Sequence, residues 1–134
     1  MCLYRTKPFN SREAKDNIRC YKILFKLDDS TYITPFTRQV VTFNEEYHNP
    51  YNVFIECHNP ISKGVFHTFI RKEDAQWTID AFRIHCRPED IEFWKRAIIV
   101  QATIPKGTKF YRGVDSNYKD SYGSYSVIYL KECD

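Results

Sequence analysis

Apolar and polar positions alternate most clearly over residues 20–27, CYKILFKL. Tyr21, Ile23, Phe25 and Leu27 fall on one face, and Lys22 and Lys26 on the other with Leu24 between them. A period of two predicts a strand with one buried face and a mostly polar outer face. Residues 97–104, AIIVQATI, are mostly apolar and β-friendly, and Ile104-Pro105-Lys106-Gly107 follows. Proline at the second position and glycine at the fourth predict a type I turn. A further strand over residues 108–114 completes a β-hairpin or a sharp corner, on which the rest of the chain is expected to pack.

Weaker patterns fill in the remainder. Residues 65–70, VFHTFI, are almost continuously apolar, as in a strand covered on both faces. Residues 71–83 predict the main helix, with Ala75, Ile79 and Phe82 on one face and Glu73 and Asp74 near the dipole's positive end. Pro88 followed by Glu89 and Asp90 starts a second, short helix ending near Lys95 or Arg96. Residues 38–43, 53–57 and 124–130 predict strands. Residues 31–36, broken by Pro35, predict an edge strand or loop. Residues 44–52 and 115–122 read as polar loops, and residues 1–19 as an N-terminal arm or short helix capped by Asn10 or Ser11. The order predicts an α+β fold, a curved and largely antiparallel sheet with one or two short helices packed on it. The globular domain is expected over residues 20–134.

Composition narrows the class. The 134 residues suit one domain, and 43% hydrophobic residues are enough for one core. Ten Tyr and ten Phe predict that large rings build it. A net charge of +3 is too slight to argue for nucleic-acid binding. Five cysteines without a CxxC pair, and no apolar leader after Met1, predict unpaired thiols in a reducing cytoplasm. No run approaches the length of a membrane span.

Candidate chemistry is sparse. Cys57-His58 and His85-Cys86 are adjacent pairs, which point to opposite faces of a strand and lack zinc-ligand spacing. No GxSxG, P-loop or GxGxxG segment occurs. The acidic pairs Asp28-Asp29, Glu45-Glu46, Glu73-Asp74 and Glu89-Asp90 sit where capping or solvation explains them. No metal, cofactor or catalytic residue is therefore expected. His67, in a strongly apolar strand, is either a hydrogen-bonded core residue or the first candidate for a pocket. Lys106, Lys109, Tyr111, Arg112, Tyr118, Lys119, Tyr122 and Tyr125 interleave cations with tyrosines. That pattern suits a phosphate and a stacked base, but a solvated hairpin with tyrosines lying across the sheet is the preferred reading. Alternation puts Lys109 and Tyr111 on one face and Phe110 and Arg112 on the other, so the cluster cannot all meet one ligand.

Three segments, in order, resemble a family. They are Val65-Phe66-His67-Thr68-Phe69; Ile104-Pro105-Lys106-Gly107-Thr108 with Tyr111 and Gly113; and Tyr122-Gly123-Ser124. Together they are similar to short proteins of gut Bacteroidetes and their crAss-like phages, which carry FHxF, IPKGxxYxG and YxS segments. Here Gly64 stands one residue earlier than the family's glycine, and Gly123 replaces an alanine. The resemblance implies a phage or mobile-element accessory protein and a close backbone approach near Gly113 and Gly123. The expected function is non-enzymatic binding of a nucleotide-like small molecule or a host protein, with a counter-defence role, in the bacterial cytoplasm. The candidate ligand residues are His67, Lys106, Lys109, Tyr111, Tyr122 and Ser124. The FHTF segment also looks like that of ADP-ribosyltransferases, which act on NAD and use a late glutamate; Glu132 is the acid in that region. A small virion or assembly component is the third reading, and homo-oligomerisation stays open.

Overall fold

The computed structural model describes residues 3–5, 12–48 and 65–133. Among them the strands are β1 (Leu3–Arg5), β2 (Arg12–Glu13), β3 (Ile18–Lys26), β4 (Tyr32–Ile33), β5 (Val40–Val41), β6 (Glu46–His48), β7 (Phe66–Phe69), β8 (Ala97–Ile104), β9 (Lys109–Asp115), β10 (Asp120–Ser124) and β11 (Ser126–Glu132). The helices are α1 (Lys72–His85) and α2 (Ile91–Lys95), the latter entered through a 3-10 turn at Pro88–Asp90. The sheet runs β1-β9-β10-β7-β3-β8-β11-β6, with β2 on β9 and β4 and β5 attached beside β3. Every pairing is antiparallel, so the fold is α+β as the pattern predicts. The strand expected over residues 53–57 lies outside the described residues.

The central ladder joins β3 to β8 from Ile18 opposite Ile104 to Phe25 opposite Ala97. Its two faces are both covered. On one, Ile23 and Phe25 pack with Ile79 of α1, Trp94 of α2 and Ile99 of β8. On the other, Cys20 and Leu24 pack with Val100 and Ala102 of β8, Val127 and Tyr129 of β11, and the rings of Phe66, Phe110 and Tyr122. One cluster draws on strands from the whole width of the sheet because the sheet curls over it. This corrects the polar outer face expected for β3. The lysine side of the strand is a second core, and Lys22 stands inside it. Full burial of Leu24 and Phe25 contributes roughly 1.5–3 kcal/mol each.

The stretch after β8 is a corner and not a hairpin, since β8 pairs with β3 and β11 whereas β9 pairs with β1, β2 and β10. The turn is also displaced by one residue. Thr108 N donates to Pro105 O at 3.1 Å, and Gly107 occupies the third position at φ 88°. A positive φ there is the type II pattern, which glycine meets without strain. Ala14 and Asn17, within the stretch that predicts an arm or helix, are bonded to this corner. Ala14 N donates to Thr108 O and Gly107 N to Ala14 O, each at 2.8 Å, and Asn17 Oδ1 accepts from Lys106 N at 2.9 Å.

Two expected loops are strands in part. Within residues 44–52, β6 pairs with β11. Residues 115–122 form a tight β9–β10 hairpin, in which the buried Asp115 accepts from the backbone N–H of Asn117 and Lys119, both at 2.9 Å. The opposite happens at residues 38–43, where only Val40 and Val41 pair and Arg38 takes φ 55°. A second corner, at Tyr125, sends the chain from β10 to β11.

Candidate functional site

The free edge of β3 is shared. Tyr21 pairs with Phe69 of β7, while Phe25 and Lys26 pair with Ile33 and Tyr32 of β4. Among the described residues, Lys22, Ile23 and Leu24 have no strand partner on that edge. β7 and the β4–β5 connection diverge there, and a cavity of about 520 Å³ opens between them. Lys22 and Ile23 contribute from β3, and Phe66, His67 and Phe69 from β7. Residues of the 34–41 stretch form one wall, and Tyr47, Trp94 and Tyr129 stand behind.

That wall is set by Arg38. Its Nε donates to Pro35 O at 2.9 Å, its guanidinium lies 3.9 Å from the Phe93 ring centroid, and Asp90 Oδ1 is 3.5 Å away. These contacts hold the left-handed backbone that turns the loop. Phe36 is thereby placed against Phe82 and Trp94, whose rings stack at 4.2 Å and 9°.

Lys22 is the cation in this apolar setting. Its Nζ donates to His67 O at 2.9 Å. Burial pushes its ammonium down to about 8, with Cys20 on the same face pulling weakly the other way. The residue keeps some accessible surface because it lines the cavity. His67 is pushed well below the ordinary histidine value, first by burial and then by the Lys22 charge, so its ring is neutral. Its Nε2 is buried without a hydrogen-bond partner. Burial pushes the Cys20 thiol up to about 11. The Thr68 hydroxyl beside it eases this without reaching hydrogen-bond geometry, since Thr68 Oγ1 has no partner. Burial also raises Tyr129, and Tyr47 Oη accepts from Thr42 N at 2.8 Å.

The three sequence segments do meet, as neighbours β7, β10 and β9. Gly123 lies opposite His67 on one side and Tyr111 on the other. Residues opposite one another share a face, so His67 and Tyr111 lie on one side of the sheet. Tyr122, opposite Thr68 and Arg112, lies on the other with Ser124. Of the six predicted ligand residues only His67 lines the cavity. Tyr111 is buried with Val65 and Tyr125, and Tyr122 packs edge-on to Phe110. Ser124 Oγ donates to Ser126 O at 2.9 Å. Lys106 and Lys109 are exposed at and after the corner. Glu132 is held by Lys26 at 2.9 Å and Tyr32 at 2.8 Å, which lower its carboxyl below the usual range, and it does not line the cavity.

Alternation along β3 places Lys22 on the solvent side, and nothing in the local pattern signals the cavity it lines. A second arrangement was equally hidden. His48 Nδ1 lies 2.8 Å from Ser126 Oγ, and His48 Nε2 lies 2.7 Å from Glu46 Oε2. This serine–histidine–glutamate chain joins residues 78 positions apart across the β6–β11 pair. Ser126 is only 8% exposed, so the chain is read as a clasp on the edge strand. Among the described residues no group of three or more His, Cys, Asp or Glu could hold a metal ion, and no helix is long and apolar enough to cross a membrane. Cys20, Cys86 and Cys133 form no disulfide. No family model, curated protein or solved structure matches the chain.

Proposed function

We propose that the protein is a non-enzymatic small-molecule binder whose ligand occupies the cavity between β3, β7 and the β4–β5 connection. The observation that carries this reading is one half-buried cation, Lys22, beside a neutral His67 in walls otherwise dominated by aromatic and aliphatic side chains. Apolar walls with a few convergent polar groups are the usual composition of a ligand site. A planar ring fits against Phe36, Phe69 and Trp94 while a carbonyl or anionic oxygen meets Lys22. Nucleobase-like and aromatic-acid ligands have that form. Lys106 and Lys109 play no part. The likeness of the FHTF, IPKG and YGS segments to phage and Bacteroidetes proteins supports an accessory role of phage or mobile-element origin.

Thermal-shift measurements against nucleotides, cyclic dinucleotides and aromatic acids test this. A ligand at 100 times its Kd stabilises the folded state by about 2.7 kcal/mol, enough for a shift of several degrees. The shift is expected to survive Lys106→Ala and Lys109→Ala and to vanish in Lys22→Met. No shift across the panel, or a shift retained in Lys22→Met, removes the proposal.

A further inference from the structure

We infer that Lys22 is a carbonyl-capturing nucleophile, and that the cavity takes an aldehyde or ketone on a planar apolar body and holds it as an imine. The inference rests on the binding reading above and adds a bond to it.

The placement of the amine is the first support. Among the described residues, the one hydrogen bond that holds Lys22 Nζ at the gap in the sheet goes to the backbone carbonyl of His67. A carbonyl oxygen accepts from an amine as well as from an ammonium, so this contact does not require the charge. Among the described residues, the titratable groups around Lys22 are Cys20 on its own strand, His67 on β7, Tyr47 on β6 and Tyr129 on β11. None is a carboxylate, and an ammonium that lacks an anionic partner in an apolar cavity favours its neutral form. The lowered value of about 8 agrees with that environment. Neutral amines in apolar pockets are the nucleophiles that attack carbonyl carbon.

The second support is independent. His67 Nε2 is a buried nitrogen with no partner, on a ring in the same cavity. An unpartnered buried polar atom is costly unless something in use satisfies it. Imine formation supplies such a use, because protons must move. The Nζ lone pair attacks the carbonyl carbon, a C–N bond forms, and the π pair moves to oxygen. One amine proton is transferred to that oxygen, giving a carbinolamine. The C–O bond then breaks, a second proton leaves nitrogen, and water departs as C=N forms. Aldehyde and amine give imine and water with no change of oxidation state. The neutral imidazole is one group lining the cavity that can relay those protons.

The test is reductive trapping on the whole chain. The protein is incubated with 2-naphthaldehyde and sodium cyanoborohydride, and the adducts are located by peptide mapping. Lys22 is expected to be labelled about tenfold or more over the exposed Lys106 and Lys109 near pH 7, since burial favours its neutral amine. The labelling rate should reach half its maximum near pH 8, and His67→Gln should slow trapping without changing that midpoint. Lys22→Arg and Lys22→Met, each checked for folding by circular dichroism, should lose the preferred adduct. Even labelling of surface lysines, or labelling unchanged in both folded variants, overturns the inference. The unreactive 2-naphthoate separates the two readings. If it gives a thermal shift that Lys22→Met abolishes while the aldehyde leaves no Lys22 adduct, the binding site stands and the covalent step falls. If neither probe engages, the covalent step falls, and the binding reading falls with it only when the wider ligand panel also gives no shift.

Discussion

Below about pH 8, folding keeps a positive charge on Lys22 in a place that disfavours it; at higher pH the charge leaves. The unfolded chain, with an ordinary lysine value of 10.5, binds more protons than the folded one between about 8 and 10.5, so stability rises with pH across that window. His67 adds a second slope. Its folded value lies far below 6.5, so stability falls as pH drops beneath the unfolded value. Lys22→Met is therefore expected to stabilise the protein at pH 7 by on the order of 1–3 kcal/mol and to flatten the alkaline rise. Denaturant unfolding from pH 5 to 10.5 measures both, and a variant that is no more stable at pH 7 would show that the ammonium is well solvated. His67 was legible as a pocket residue because a histidine stood out in an apolar strand. Lys22 was not, because alternation reports two faces without saying that a second layer covers the polar one. Glu46, His48 and Ser126 were invisible for a different reason, since only strand pairing brings them together.

Elements show where turn chemistry can be read and where it cannot. The Pro105–Gly107 corner announced itself through its residues, but whether the strands beyond it would pair with each other depended on partners far along the chain. Asp115 opens a polar segment that predicts a loop; its carboxylate folds a hairpin there by capping two backbone N–H groups. Arg38 is the case that propensity argues against. A bulky side chain at φ 55° costs roughly 1–2 kcal/mol, and the stacked guanidinium is what offsets it. Arg38→Ala discards the anchor and keeps the backbone cost, whereas Arg38→Gly discards both. The alanine variant is expected to lose about 1–2 kcal/mol and the glycine variant about 1 kcal/mol less. Chemical denaturation of the pair decides it; an alanine variant as stable as the parent would mean that the loop is held by something else. Ligand-induced thermal shifts should fall in both, because this loop carries Phe36 to the cavity.

At the scale of the molecule, the class of fold was readable from the run of strands, helices and strands, and the strand order was not. Periodicity is a local signal, and this sheet is assembled from distant pieces. The N-terminal segment is the clearest instance: sparse apolar residues suggested an arm, yet Ala14 is buried and bonded on both sides to the Gly107 corner. Deleting residues 1–17 removes those two bonds and the one from Asn17, at about 1 kcal/mol each, and uncovers one end of the inner core. The truncated chain is expected to lose several kcal/mol while keeping its helices, with denaturant midpoints as the measure; unchanged stability would restore the arm. The long reach of the central ladder carries a kinetic consequence. Residues 18–25 pair along their whole length with residues 97–104, and β11 closes on β8 from further along still. Such pairing must first meet the entropy of closing a long loop, which places folding on the order of milliseconds to seconds. During synthesis, β3 leaves the ribosome with both of its apolar faces uncovered and waits for most of the chain to follow. The strand that organises the finished protein is thus the one that most needs shielding while the protein is being made.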